Sequence, residues 1–123
     1  MSDAELNAIT ERIIGCGFTV ANTLGVGFLE KVYENALAFE LRQSGLCVAQ
    51  QPDVPVRYRG EVVGVYQPDL LVAEQVLIEL KATREHHDQF TAQCLNYLKA
   101  TGLPLCLLMN FGQPRVDVRR YRL

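Results

Sequence analysis

The chain has 123 residues, 49% hydrophobic and 21% charged, a balance that suits one globular domain with a buried core and excludes an extended disordered tract. Twelve basic residues against fourteen acidic give a formal net charge of −2, which excludes a general nucleic-acid coat protein; any such contact needs a local basic patch or a partner. No apolar run approaches the roughly 20 residues that cross a bilayer, so no membrane partner is expected.

The opening Met1-Ser2-Asp3-Ala4-Glu5 is acidic and polar, unlike a signal peptide, and predicts a cytoplasmic protein. Ser2 and Glu5 form a capping-box signature. Leu6, Ile9, Ile13, Cys16 and Val20 follow at helical spacing, with Gly25 beyond the helix end. A second helix is predicted from about Leu29 to Ser44, carrying Val32, Tyr33, Ala36, Leu37 and Leu41, with Gly45 placed to stop it. The period then changes. Leu46 to Gln51 and Val54 to Tyr58 read as strands, with Arg59-Gly60 as a turn. Glu61 to Val72 reads as one longer strand, with Pro68 near a bend or an edge. Val76 to Ala82 is a strongly apolar strand. Helical spacing returns from His86 to Thr101 through Phe90, Cys94, Leu95 and Leu98, ended by Gly102 and Pro104. Pro104 to Phe111 is a continuous apolar run, as a central strand buried on both faces requires. Val116 to Leu123 reads as an edge strand. No linker, repeat or low-complexity segment interrupts the order, so residues 1–123 read as a single domain. Cys16, Cys47, Cys94 and Cys106 each lie in an apolar stretch without a Cys-x-x-Cys pair, which predicts buried reduced thiols rather than zinc or iron–sulfur ligands.

Chemistry concentrates on the hairpin around Ala73-Glu74-Gln75. With Glu74 at its tip, antiparallel register puts Asp69 opposite Glu79, and strand alternation puts Glu79 and Lys81 on one face, about 7 Å apart. Directly opposed carboxylates repel by about 0.2–1 kcal/mol before burial, and by more among Leu70, Leu71, Val72, Val76, Leu77, Ile78 and Leu80. A divalent cation between them reverses the sign, and hard cations such as magnesium take one or two carboxylates plus waters. Lys81 adds a positive charge that can help deprotonate an attacking water or stabilise charge developing on a phosphate. Taken singly, Glu-x-Lys is ordinarily a solvated strand face and Pro-Asp an ordinary bend. In matched register on an apolar hairpin they point to a metal-assisted phosphodiester hydrolase.

Pro68-Asp69, nine intervening residues and Glu79-Leu80-Lys81 resemble the signature of the PD-(D/E)xK nuclease superfamily. Gln93-Cys94-Leu95-Asn96-Tyr97 is similar to the Gln-x-x-x-Tyr motif of its RecB-like branch, and Gly27-Phe28-Leu29-Glu30-Lys31-Val32-Tyr33 matches the pattern of the small GxxExxY proteins. The resemblance implies an α/β fold with a central mixed β-sheet flanked by helices. It implies Asp69 and Glu79 as ligands of Mg2+ or Mn2+, joined by the backbone carbonyl of Leu80 and by Glu30, with Glu34 in reserve. Lys81 is then the catalytic lysine, and Gln93 and Tyr97 orient it or touch a phosphate. Spacing alone describes Gln93 and Tyr97 as one half-buried helix face. Phe90 stands where relatives are expected to carry a histidine.

The leading expectation is a metal-dependent nuclease acting on DNA in the first place and RNA in the second. The alternative is a non-catalytic nuclease-fold domain that binds a protein or nucleic-acid partner, and a third class is a phosphoester hydrolase with a small substrate. A chain of this size suits a homodimer around a duplex or a place in a larger nuclease complex. Arg57 and Arg59 near a turn, and Arg115, Arg119, Arg120 and Arg122 near the C-terminus, offer phosphate contacts, although such charges more often shield an edge strand.

Overall fold

Ser2 caps the first helix in both directions: its hydroxyl accepts from the Glu5 N–H (3.1 Å) while its own N–H donates to the Glu5 carboxylate (3.3 Å). Helix α1 (Asp3–Leu24) then buries Leu6, Ile13 and Val20 along one stripe, and Gly25 ends it with φ of 71°. The computed structural model describes residues 1–123. Helix α2 (Glu30–Gln43) packs beside α1, burying Tyr33, Leu37, Ala38 and Leu41. The strands follow as β1 (Val48–Gln50), β2 (Val54–Tyr58), β3 (Glu61–Tyr66), β4 (Leu70–Val72) and β5 (Val76–Lys81). Helix α3 (Asp88–Thr101), β6 (Leu105–Asn110) and β7 (Asp117–Tyr121) complete the chain. No helix is long and apolar enough to cross a membrane.

A five-stranded sheet runs in the order β1-β4-β5-β6-β7, with β5 and β6 parallel and every other pair antiparallel. The parallel pair is joined through α3, as a crossover requires. Alternation along β5 divides the core. Val76, Ile78 and Leu80 join the large cluster under α1 and α2, while Leu77 joins Cys94, Leu98 and Leu108 under α3. Helices therefore cover both faces, and β6, between β5 and β7, is buried throughout. This is the mixed, helix-flanked sheet expected from the sequence.

Four expectations are corrected. Glu61 to Val72 is not one strand: β3 pairs only with β2 in a separate two-stranded sheet, and β4 joins the main one. Pro68 has no N–H to continue a ladder, and Asp69 turns its carbonyl to the N–H of Gln51 (2.8 Å) and its N–H to the Glu79 side chain (3.2 Å). The strand expected over Leu46–Gln51 shrinks to three residues, and Cys47 just before it is exposed because β1 is an edge strand. All four thiols are free, but only Cys94 and Cys106 are buried, Cys16 being half-buried. Helix α3 begins at Asp88 rather than His86; both histidine rings instead stand edge-on to Phe90, with centroids 6.1 and 5.1 Å away.

Candidate active site

Ala73 and Glu74 both take positive φ (54° and 57°), and the Gln75 N–H closes the turn on the Val72 carbonyl (3.0 Å), a hairpin geometry whose twist matches the flanking strands. Register follows as Leu70↔Ile78, Leu71↔Leu77 and Val72↔Val76. Continued by one pair, it brings Asp69 beside Glu79. The Asp69 N–H donates to Glu79 Oε1 (3.2 Å), and the Leu80 N–H donates to Asp69 Oδ2 (2.8 Å). Each carboxylate is thus fixed by the main chain of the opposite strand. Both sit buried, at 8% and 4% exposure.

Burial dominates their electrostatics. It pushes Glu79 up to about 8, with the neighbouring Asp69 charge adding to the rise and Lys81 opposing it. Burial likewise raises Asp69, against the Leu80 hydrogen bond and with the help of the Glu34 charge. Lys81 Nζ lies 3.7 Å from Glu79 Oε2 and 4.7 Å from the centroid of the Phe90 ring. The ammonium is therefore attracted by both a carboxylate and an aromatic face.

Helix α3 supplies the facing wall. Gln93 Nε2 donates to the Tyr97 hydroxyl (2.9 Å), and both side chains line a cavity of about 450 Å³ together with Lys81, Phe90, Asn96 and Tyr66. Burial, then the Glu79 and Asp69 charges, push the Tyr97 hydroxyl up, so it stays protonated and available to donate. The Tyr66 ring meets Tyr97 edge-on at 5.5 Å and brings the β2–β3 hairpin to the rim.

The two glutamates of α2 are placed differently. Glu30 is largely exposed, yet partial burial of its carboxyl, together with Asp69 and Glu34, raises its pKa while Lys81 opposes the shift; it lies within electrostatic reach of the hairpin. Glu34 is buried and engaged. Burial pushes it up, but hydrogen bonds from Lys31 (2.8 Å), Gln50 (2.9 Å) and Gln51 (2.8 Å) outweigh that and hold it below the usual carboxylate range. Gln51 also donates to Asp69 Oδ1 (3.3 Å), linking α2 to the hairpin. Sequence reasoning missed Gln51. Its only local signal is a turn position with φ of 52°, a value that the sequence does not display. Tyr66 was missed for a similar reason, since it belongs to a different sheet from the carboxylates.

The donor set suits a hard divalent cation. One oxygen of each buried carboxylate is tied to a main-chain N–H, leaving Glu79 Oε2 and Asp69 Oδ1 turned to weaker partners. A divalent charge between them would offset the burial that raises both carboxyls and the Asp69 repulsion that adds to the rise at Glu79. No three His, Cys, Asp or Glu side chains converge closely enough to enclose a cation by themselves. The protein donors at hand are therefore the two carboxylates and nearby main-chain carbonyls, a set that leaves coordination positions for water or a phosphate.

A family model described as the PD-(D/E)XK nuclease superfamily matches residues 7–121. The fold is shared with a solved alkaline exonuclease, LHK-Exo, from Laribacter hongkongensis, at 14% identity and a TM-score of 0.56. A second structure, LHK-Exo in complex with dAMP, matches at 15% identity and a TM-score of 0.57. Each match covers 98% of this chain and 70% of the other. No curated protein matches the sequence.

Proposed function

Because the chain belongs to the PD-(D/E)XK nuclease superfamily, we propose that it hydrolyses phosphodiester bonds of nucleic acid with the help of a bound divalent cation, Mg2+ or Mn2+, acting on DNA before RNA. The observation that carries this reading is the pair of buried carboxylates, Asp69 and Glu79, locked by each other's strands beside Lys81, whose side chain lines an open cavity. A structural pair would sit more cheaply as a neutral or apolar contact, since unpaired buried acids cost stability.

Asp69, Glu79 and the Leu80 carbonyl would hold the cation, and Glu30, which does not converge with them in the cation-free protein, would be drawn toward it from α2. When bound, the cation supplies Lewis-acid stabilisation of a phosphoryl oxygen. Lys81 presents its ammonium to the cavity, where it neutralises charge developing on the phosphate and orients the attacking water. Gln93 and Tyr97 offer a linked pair of hydrogen-bond donors for a non-bridging oxygen. Their place beside Lys81 supports the Gln-x-x-x-Tyr likeness, and Gly27, Glu30 and Tyr33 at the start of α2 support the GxxExxY one. Residues 1–123 act as one domain in this reading.

The test is calorimetric titration of Mg2+ and Mn2+ into wild type, Glu79→Ala and Lys81→Ala, with labelled single- and double-stranded DNA incubated alongside. Cleavage by wild type alone, with metal binding lost only in Glu79→Ala, is expected. A folded wild-type protein that binds no metal sinks the catalytic reading and leaves a nuclease-fold binding domain.

A further inference from the structure

A second cavity, of about 490 Å³, lies between the β2–β3 hairpin and α3, and shares Tyr66 and Asn96 with the cavity at Lys81. Arg57 of β2 and Lys99 of the last turn of α3 line it. No aspartate or glutamate lines either cavity, and neither Arg57 nor Lys99 is engaged in an ion pair. Arg57 spends one nitrogen on the Gly60 carbonyl (3.2 Å), and its other donors are uncommitted. In a chain of net charge −2, the groove that continues the candidate site is thus wholly cationic in its charged lining. The Tyr66 ring lines both cavities, 41% exposed, at 5.5 Å and steeply inclined to the Tyr97 ring.

Resting on the nuclease reading, we propose that this groove is the track along which a single-stranded segment of the substrate reaches the site. Arg57 and Lys99 bind its phosphates, and Tyr66 stacks on an unpaired base. Each cavity lies within the roughly 300–1,000 Å³ that receives a small-molecule-sized group, so together they seat consecutive nucleotides. Aromatic stacking between phosphate contacts is the standard chemistry of strand binding without sequence preference. Tyr66 requires the strand to be unpaired there, because a base inside a duplex has no free face to offer.

The experiment is fluorescence anisotropy of a labelled oligothymidylate in chelator, so that nothing is cut, over a range of salt concentrations. The Arg57→Glu/Lys99→Glu double variant is expected to lose at least about tenfold in affinity and to flatten the salt slope by about 1.4, as two lost single-strand phosphate contacts require. Tyr66→Ala is expected to lose roughly 5- to 150-fold. Arg119→Glu, on the edge strand β7 and lining neither cavity, is the control for a charge reversal outside the groove and changes little. Unchanged binding in the groove variants, an equal loss in Arg119→Glu, duplex competing as well as single strand, or no binding by wild type would each overturn the track. Cleavage of DNA in Mg2+, assayed on the same proteins, reads the nuclease function separately: cutting with groove-insensitive binding removes the track alone, and groove-dependent binding without cutting removes the nuclease reading alone.

Discussion

The ammonium of Lys81 rests 4.7 Å from the centre of the Phe90 ring and 3.7 Å from the Glu79 carboxylate. An aromatic face attracts a cation by about 0.5–2 kcal/mol, and here it limits where the long lysine side chain can point. Phe90→Leu keeps an apolar side chain in the α3 core but removes that face. A loss of about 2- to 30-fold in kcat is expected, with KM little changed and a melting temperature close to that of wild type. Phe90→Tyr should retain most activity. Equal kcat in the leucine variant would show that the ring only fills space.

The Glu79 carboxyl is pushed up to about 8, from an ordinary value of 4.5, by burial first and Asp69 second. The native state therefore keeps a proton that the unfolded chain has released, and stability of the cation-free protein falls as pH rises from about 4.5 through about 8. The whole effect is on the order of a few kcal/mol. Urea midpoints in chelator should decline across that window for wild type and decline clearly less for Glu79→Gln, in which Asp69 and Glu30 remain the raised carboxyls. Added Mg2+ should stabilise wild type more at the alkaline end, since a cation needs the ionised carboxylates. A wild-type midpoint that climbs through the window would contradict the buried, raised carboxyl.

Asp69 and Glu79 were legible in the sequence because hairpin register follows from a turn and two flanking apolar runs, all local. The same locality explains the misreading of Glu61–Val72. Its alternating apolar residues look continuous, and only the distant pairing partners show that β3 and β4 belong to different sheets. The sequence of helix α3 displays its buried stripe but not what faces it, so spacing alone does not place Gln93 and Tyr97 on one cavity with Lys81 and Tyr66. Gln51 had no signal at all. Its role exists only because α2 delivers Glu34 to the same place as Asp69.

Gln51 joins Glu34 and Asp69 through one amide nitrogen, at 2.8 and 3.3 Å, while its N–H holds the Asp69 carbonyl at 2.8 Å. Gln51→Leu leaves the main-chain bond and deletes the bridge between two buried carboxylates. A hydrogen bond to a charged group contributes about 1.5–3 kcal/mol, so destabilisation of roughly 2 kcal/mol is expected. Metal affinity should fall as well, because Asp69 Oδ1 loses its guide. Chemical denaturation and calorimetric titration measure the two effects separately. A variant as stable as wild type, with intact metal binding, would show that the bridge is incidental.

Beyond Lys81, the chain leaving β6 stays paired at close range with the chain leaving β5. The Phe111 N–H donates to the Lys81 carbonyl (2.8 Å), and Asn110 Oδ1 accepts from the N–H groups of both Thr83 (3.1 Å) and Gly112 (2.9 Å). A methyl group on Gly112 would collide with the Thr83 backbone, which cannot rotate aside as a side chain can. On Gly17 of α1 it would meet only the terminal methyl of Met109. Overpacking of a rigid contact costs about 1–3 kcal/mol or more, whereas a flexible methionine yields and a helical glycine-to-alanine change returns about 1 kcal/mol. Gly112→Ala is therefore expected to lower the melting temperature clearly and to cut activity beyond its effect on folding, since displacing Thr83 moves Lys81. Gly17→Ala should change both only slightly. Thermal melts and single-turnover rates on the two variants settle the comparison; equal behaviour of the pair would mean that this pairing does not fix the lysine.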